Sequence, residues 1–267
     1  MTEIASQMTE MGRQARRASA ILARTSSAVK NRALAAMADA LVRNGDLLIR
    51  ENGKDLAHAR GIGLSQAMIE RLTLTESIIA GIANGLAEVA SLPDPVGKIT
   101  SMSLGVSGII YESRPNVTAD VAALCLKSGN ACILRGGSEA IHSNLAIARI
   151  LQEVLRNLAL PETAIQVVAI TDRKAVYEML QLEEFIDVII PRGGEELIRA
   201  VVRDSRIPVI KHYKGVCHVF VDEGADLDMA VRICMNAKTQ RPGVCNAMET
   251  LLVHEAVAGT FLPLAAG

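Results

Sequence analysis

Two hydrophobic periods divide the chain. Over roughly the first 90 residues, apolar side chains recur every three or four positions, as in Met8, Met11, Ala15, Ala18 and Leu22, which is the spacing of one helix face. This pattern predicts four helices. The first helix ends at Leu22, the second covers residues 27–43 and the third covers residues 46–60. The fourth begins at a capping box formed by Thr73 and Glu76 and ends before Pro93.

From Leu104 onward, short continuous apolar runs alternate with helical stretches. Continuous apolar strands between helices are typical of a parallel sheet covered on both faces. We therefore predict an α/β fold of nucleotide-binding type, with Arg114-Pro115-Asn116 as a turn. The predicted strands are 104–112, 131–134, 165–170, 186–190, 216–221 and 250–253, and the predicted helices are 118–127, 138–158, 172–182, 195–204 and 225–237.

Composition excludes several classes of protein. The 28 basic and 29 acidic residues are interspersed, the net charge is −1 and aromatic residues are only 2%, so the chain lacks the basic surface and stacking platforms of nucleic-acid binders. We find no secretion signal and no apolar run near ~18 residues, and expect a soluble, cytoplasmic protein that makes no membrane contact. The five cysteines lack CxxC spacing, which predicts reduced thiols.

Two predicted strand-to-helix turns share one composition: Arg135-Gly136-Gly137, followed by Ser138 as the helix N-cap, and Arg192-Gly193-Gly194. Glycine lets the backbone approach an anion, and a helix N-terminus offers N–H groups with a partial positive charge. Neither turn has the GxGxxG spacing, and each alone is also compatible with a tight loop and a solvated arginine. Two such turns on the same edge of one sheet favour a ligand with phosphates.

Cys245 is the candidate nucleophile. It follows a Pro242-Gly243 turn and precedes a predicted strand, and such a turn exposes a side chain at an edge. Lys238 and Arg241 lie seven and four residues upstream, and nearby cations favour the reactive thiolate. The alternative is a small buried apolar residue, as most free cysteines are.

A metal site is not expected. His212 and His218 lie close in sequence to Lys211, but His218 alternates with apolar residues along a strand, and no Asp or Glu occurs between Asp204 and Asp222. A metal cluster normally needs more ligands than this. We predict no metal.

Three segments carry a family resemblance: YESRPNVTADVAALCLKSGNACILRGGSE, IDVIIPRGG, and KGVCHVFVDEGADLDMAVRICMNAKTQRPGVCNAMETLLVH. They resemble γ-glutamyl phosphate reductases, which belong to the aldehyde dehydrogenase superfamily. The resemblance implies an aldehyde dehydrogenase-like α/β fold. In it, residues 1–212 form N-terminal helices and a Rossmann-type NADP-binding domain, and residues 213–267 begin a catalytic domain that is truncated. DPVGKITSM also runs directly into SLGVSGIIYE, where the family has a further strand-rich stretch used in subunit association.

The resemblance implies NADPH-dependent reduction of L-glutamyl 5-phosphate to glutamate 5-semialdehyde with release of phosphate, a step of proline biosynthesis. NADP(H) is then the cofactor. Glutamate 5-kinase is the implied partner, and relatives form homo-oligomers through the stretch that is shortened here. Two alternatives remain: an aldehyde dehydrogenase of other substrate, and a non-catalytic cofactor-binding fragment.

Site roles follow from the same resemblance. Cys245 corresponds to the nucleophile, and Asn116 to the asparagine that holds the developing oxyanion. The first Arg-Gly-Gly turn with Ser138 corresponds to the adenosine ribose site, where a cation and a hydroxyl favour NADPH over NADH. The second turn corresponds to the cofactor-side turn. By their charge, Arg114, Lys238 and Arg241 are candidates to bind the anionic substrate.

Overall fold

The computed structural model describes residues 2–93, 105–112, 114–211, 215–240, 242, 244 and 246–266. The chain forms two compact units, Met1–Lys211 and His212–Gly267.

The first unit begins with five helices. They are α1 Glu3–Leu22, α2 Ser27–Arg43, α3 Gly45–Gly61, α4 Gln66–Leu72 and α5 Glu76–Ser91. The predicted Thr73/Glu76 capping box is wrong, because the Oγ1 of Thr75 accepts from the Ile78 N–H at 3.2 Å and the Thr73 hydroxyl instead donates to the Ile69 carbonyl. Helix α4 was not predicted, since only Leu72 among its residues is buried and it is too short to show a period.

Strands and helices then alternate as predicted. The order is β1 Val106–Tyr111, α6 Pro115–Lys127, β2 Ala131–Arg135, α7 Ile141–Asn157, β3 Ile165–Val167, α8 Lys174–Leu180, β4 Val188–Arg192 and α9 Glu195–Asp204. The four strands are parallel, in the order β3-β2-β1-β4. Every residue of β1 is buried, as expected for a central strand covered on both faces.

This strand order creates a switch point between β1 and β4. The chain steps outward from β1 to β2 and β3, and then returns past β1 to form β4. Because parallel crossovers are right-handed, α6 and α7 lie on one face of the sheet and α8 on the other. Helix α1 packs against α8 and the first three strands, so it shares the face of α8.

Two local predictions need correction. Arg114-Pro115-Asn116 is the start of α6, with Pro115 as its first residue, because proline at that position loses no helical hydrogen bond. Ser138 does not cap α7: residues Ser138–Ala140 form a short 3-10 turn and α7 begins at Ile141.

A half-buried ion pair ties α1 to the sheet. Arg16 donates from both Nη atoms to Asp187, at 2.7 and 3.0 Å, and the same carboxylate accepts from the Val106 N–H at 2.7 Å. Gly105 lies beside this pair with a φ of 108°, where a Cβ would lie 2.4 Å from the Asp187 Oδ2. Glycine is therefore required at the entrance to β1.

The second unit contains β5 Cys217–Val221, α10 Leu227–Thr239, β6 Met248–Val253 and α11 Glu255–Ala266. The two strands pair in parallel, and Asp226 caps α10 by accepting from the Met229 N–H at 2.9 Å. Its buried core is small, consisting of Val221, Ala230, Cys234 and Phe261. Helix α11 was not predicted, since a proline at 263 lies inside it.

Candidate functional site

A cavity of about 780 Å³ lies at the carboxyl ends of β1, β2 and β4, next to the switch point. Ligands of open parallel sheets bind at such crevices. The cavity is lined by the end of β1, by the first Arg-Gly-Gly turn, by α8 with the residues just before it, and by α9 from Glu195 to Asp204. The two predicted turns therefore lie around one cavity.

Arg135 holds the first turn in place. Its Nη1 donates to the Gly136 carbonyl and its Nη2 to the Thr171 carbonyl at 2.8 Å, while its Nε is buried without a partner among the described residues. Burial lowers the pKa of Arg135, although a guanidinium keeps its charge in proteins. The side chain thus joins the end of β2 to the loop before α8.

Gly136 packs against a buried polar network. The Tyr111 hydroxyl lies 2.7 Å from Thr118 Oγ1, which donates to Asn144 Oδ1 at 2.9 Å, and burial raises the pKa of Tyr111. A Cβ on Gly136 would lie 2.3 Å from Asn144 Nδ2 and 3.0 Å from the tyrosine ring. Packing alone therefore requires glycine here, independently of any ligand.

The N-terminus of α7, after the first turn, is already satisfied by the protein. Asp55 on α3 is buried and accepts from the N–H groups of His142 and Ser143 at 3.0 and 2.8 Å and from the Ser143 hydroxyl at 2.6 Å. The Ser138 hydroxyl lies at the cavity wall and donates to the Glu139 carboxylate at 3.3 Å. The N–H groups of α7 predicted to be open to an anion are occupied.

Sequence reasoning missed Asp55, although a signal existed. Asp55 falls on the buried stripe of α3, with Leu48, Asn52 and Ala59. Such a stripe normally faces the core, so an acidic residue on it should have been read as a buried acceptor.

The second turn is likewise closed by a carboxylate. Glu112, just after β1, accepts from the Gly194 N–H at 2.8 Å, and a Cβ on Gly193 would lie 2.7 Å from the Glu112 carboxyl carbon. Arg192 is exposed, and its carbonyl accepts from the Glu112 N–H at 3.2 Å. A phosphate at this helix N-terminus would have to replace Glu112, a residue that sequence reasoning did not single out.

Asn116 and Arg114 lie just beyond β1, at the start of α6. The Asn116 amide donates to Asp120 Oδ2 at 3.1 Å, one helical turn later. Burial raises the pKa of Asp120, and the bond from Asn116 acts in the opposite direction. Arg114 is exposed and serves as the N-cap residue of α6.

In the second unit, Lys238 is exposed and donates to the Met248 carbonyl at 3.0 Å. Cys245, Arg241, Gly243 and His212 lie outside the described residues. His218 Nδ1 lies 2.8 Å from the Val216 carbonyl oxygen. Within the described ranges, no group of three or more His, Cys, Asp and Glu side chains could hold a metal ion, and no helix has the length and apolarity to cross a membrane.

The chain is similar to known γ-glutamyl phosphate reductases. It is 58% identical to the enzyme of Geotalea daltonii over 274 residues, which covers 97% of this chain and 66% of that relative. A crystal structure of the Thermotoga maritima enzyme superposes with a TM-score of 0.87 at 39% identity, covering 97% of this chain and 66% of that one. For the Saccharomyces cerevisiae enzyme the TM-score is 0.71 at 33% identity, with coverages of 92% and 65%.

This chain therefore spans about two thirds of the length of the relatives it matches. The alignment of 274 residues is longer than the 267-residue chain, so residues of the relative have no counterpart here. The shortening predicted between residues 102 and 103 lies outside the described residues.

The expected aldehyde dehydrogenase-like α/β fold is confirmed by these superpositions. A sequence profile of the aldehyde dehydrogenase family matches residues 3–266, and the chain belongs to that family.

Proposed function

We propose that this chain catalyses the NADPH-dependent reduction of L-glutamyl 5-phosphate to L-glutamate 5-semialdehyde with release of phosphate, in proline biosynthesis. The observation that carries the proposal is the cavity at the switch point of the parallel sheet, in a chain 58% identical to a γ-glutamyl phosphate reductase. The proposal also implies a cytoplasmic protein and glutamate 5-kinase as the partner that makes its acyl phosphate.

The cavity fits a pyridine nucleotide. One wall is apolar, formed by Val176 and Leu180 of α8 and by Leu197 and Val201 of α9, and an adenine ring is held by such surfaces. The polar part of the lining carries Arg135, Ser138 and Arg173, which suits ribose and phosphate. When bound, the reduced nicotinamide supplies the hydrogen and electrons for reduction.

The covalent step is assigned to Cys245. Its thiolate attacks the carbonyl carbon of the acyl phosphate, the C–O bond to phosphate breaks and a thioester forms on the sulfur. The Asn116 amide, held by Asp120, donates to the oxyanion that develops on that carbonyl. Arg114, Lys238 and Arg241 supply positive charge for the anionic substrate.

The sequence favours phosphate release over hydrolysis. A hydrolytic aldehyde dehydrogenase needs a carboxylate to activate water, and none occurs between Asp204 and Asp222. The thioester is then reduced to the aldehyde, and the thiol of Cys245 is regenerated.

The test is the reverse reaction. The chain and the Geotalea daltonii relative are each incubated with glutamate 5-semialdehyde, phosphate and NADP, and NADPH formation is followed by fluorescence. We expect phosphate-dependent turnover that Cys245→Ser abolishes. Turnover of simple aldehydes without phosphate would instead identify an aldehyde dehydrogenase of other substrate, and nucleotide binding without any turnover would identify a non-catalytic fragment.

A further inference from the structure

A second arginine reaches the cavity beside Arg135. Arg173 is the N-cap residue of α8 and lines the cavity, and its side chain is exposed. Within the described part of the chain, the Arg173 guanidinium makes no hydrogen bond or ion pair. It therefore offers all five of its N–H donors to a ligand.

Arg135 differs from Arg173 in this respect. Two of its nitrogens donate to the carbonyls of Gly136 and Thr171, and the third is buried. The bond to Thr171 also fixes the loop two residues before Arg173. Burial lowers the pKa of Arg135, Glu139 raises it, and Arg173 lowers it further, so the two guanidinium groups are close enough to repel.

Charge is distributed unevenly around the cavity. Four carboxylates line the part of the cavity next to the end of β1 and α9: Glu112, Glu195, Glu196 and Asp204. The part between the turn after β2 and the start of α8 carries Arg135, Arg173 and one carboxylate, Glu139. A dianionic group is repelled from the α9 side and attracted to the arginines. Two cations held close together, one of them without a protein partner in the described residues, form an environment that a phosphate stabilises.

We propose that Arg173 binds the 2′-phosphate of NADPH and thereby sets the preference for NADPH over NADH. This inference rests on the proposed function, because it takes the cavity to be the nucleotide site. Arg135 acts as a positioning residue: it holds the β2 turn and the loop before α8 in register, so that Arg173 meets the phosphate. Selectivity is thus assigned to the arginine that sequence reasoning did not choose.

The test compares nucleotides with and without the 2′-phosphate. Binding of NADPH, NADH, 2′,5′-ADP and 5′-AMP is measured by calorimetry. Arg173→Ala should weaken the binding of NADPH and of 2′,5′-ADP by about tenfold to a hundredfold. It should leave the affinities for NADH and 5′-AMP unchanged. Arg173→Lys should restore part of the affinity, since it keeps the charge but loses the paired donors.

Lys174→Ala is the matched control. Lys174 is the adjacent exposed cation and does not line the cavity. Its loss should therefore leave the affinities unchanged, both for nucleotides with a 2′-phosphate and for nucleotides without one. Arg135→Ala should weaken the binding of NADPH and of NADH to a similar extent, because it loosens the turn after β2. Circular dichroism of each variant separates lost binding from lost folding.

The outcomes separate the two proposals. If Arg173→Ala leaves the NADPH preference intact, or if only Arg135→Ala removes it, the inference fails while the proposed function stands. If the unmodified chain binds neither nucleotide, both fail. If selective binding depends on Arg173 but no phosphate-dependent turnover is found, the inference stands and the proposed function fails.

Discussion

At the scale of single residues, a buried acceptor on α3 holds the start of α7 in place. Asp55 takes three hydrogen bonds from residues 142 and 143, and it does so from a helix 87 positions earlier in the chain. A buried acceptor with three donors keeps each donor from being left unsatisfied.

Replacing Asp55 should therefore destabilise the first unit. We expect Asp55→Ala to lower the free energy of unfolding by about 2–4 kcal/mol, because the buried N–H and hydroxyl of Ser143 and the N–H of His142 lose their acceptor. Asp55→Asn should lower it less. Urea unfolding followed by circular dichroism measures both variants. Asp39→Ala, at an exposed position in the middle of α2, is the control; an equal loss there would mean that burial of Asp55 is not the cause.

Thiol reactivity tests the assignment of Cys245. Cys125, Cys132 and Cys234 are buried; the neighbouring Cys125 thiol and burial raise the pKa of Cys132, and burial raises that of Cys234. A raised pKa keeps a thiol protonated and slow to react. Limited iodoacetamide followed by peptide mapping should label Cys245 first, ahead of the half-buried Cys217. Preferential labelling of Cys132 or Cys217 would contradict the assignment.

Asp120 gives a pH-dependent prediction. Burial raises its pKa, so the folded state binds the proton more tightly than the unfolded state. Stability contributed by the protonated form is complete below the unfolded pKa of about 3.9 and is lost as pH rises through the folded pKa. We expect Asp120→Asn to raise the unfolding free energy more at neutral pH than near pH 3. If the gain in unfolding free energy did not depend on pH, the charge of Asp120 would not be its cause.

At the scale of elements, the N-termini of α7 and α9 differ in what closes them. The acceptor at α7, Asp55, is buried, whereas the acceptor at α9, Glu112, is exposed at the cavity wall. A ligand can displace an exposed side chain at a lower cost in free energy than a buried one, because water solvates the exposed side chain both before and after it moves. Glu112 is then a competitor for any anion that binds at α9.

Weakening that competitor should strengthen nucleotide binding. Neutralising Glu112 removes a negative charge from the α9 N-terminus and weakens the bond to Gly194. We expect Glu112→Gln to lower the Kd for NADPH about threefold to tenfold, measured by NADPH fluorescence. Glu196→Gln removes a charge from the same cavity without touching the Gly194 bond; an equal effect would mean that only net charge matters.

At the scale of the whole molecule, the two units differ in core size. The first unit buries all of β1 and most of β2. In the second unit, only five of the residues that the structure describes are buried, around a two-stranded sheet. A two-stranded sheet with a small core is only marginally stable. Apolar side chains of the second unit, including Val216, Phe220 and Leu252, are also exposed.

Hydrogen exchange should therefore distinguish the units. We expect slow exchange in β1, β2 and β4, and fast exchange across residues 216–266, because local opening costs least where few apolar contacts are lost. Mass spectrometry of peptic fragments gives the rates. Equal protection of β6 and β1 in the monomeric chain would contradict this expectation.

Much of the fold was accessible from the sequence because its signals are local. Helix α2 Ser27–Arg43 and helix α9 Glu195–Asp204 have the predicted bounds, since apolar spacing and terminal residues lie within a few positions of each other. The alternation of strands with helices likewise determined the parallel sheet and brought both Arg-Gly-Gly turns to one edge. Family motifs singled out Cys245 and Asn116, whose roles remain predictions.

The tertiary structure decided which polar groups are already satisfied. Sequence pattern showed Arg135, Gly136 and Gly194 near helix N-termini, but not that Asp55 and Glu112 close α7 and α9 from 87 and 82 positions away. Hydrogen bonds between such distant segments depend on how the helices pack. The sequence around each partner contains no repeating pattern that would predict this packing. For the same reason, only the fold shows that Arg135 donates hydrogen bonds to backbone carbonyls, whereas Arg173 lines the cavity.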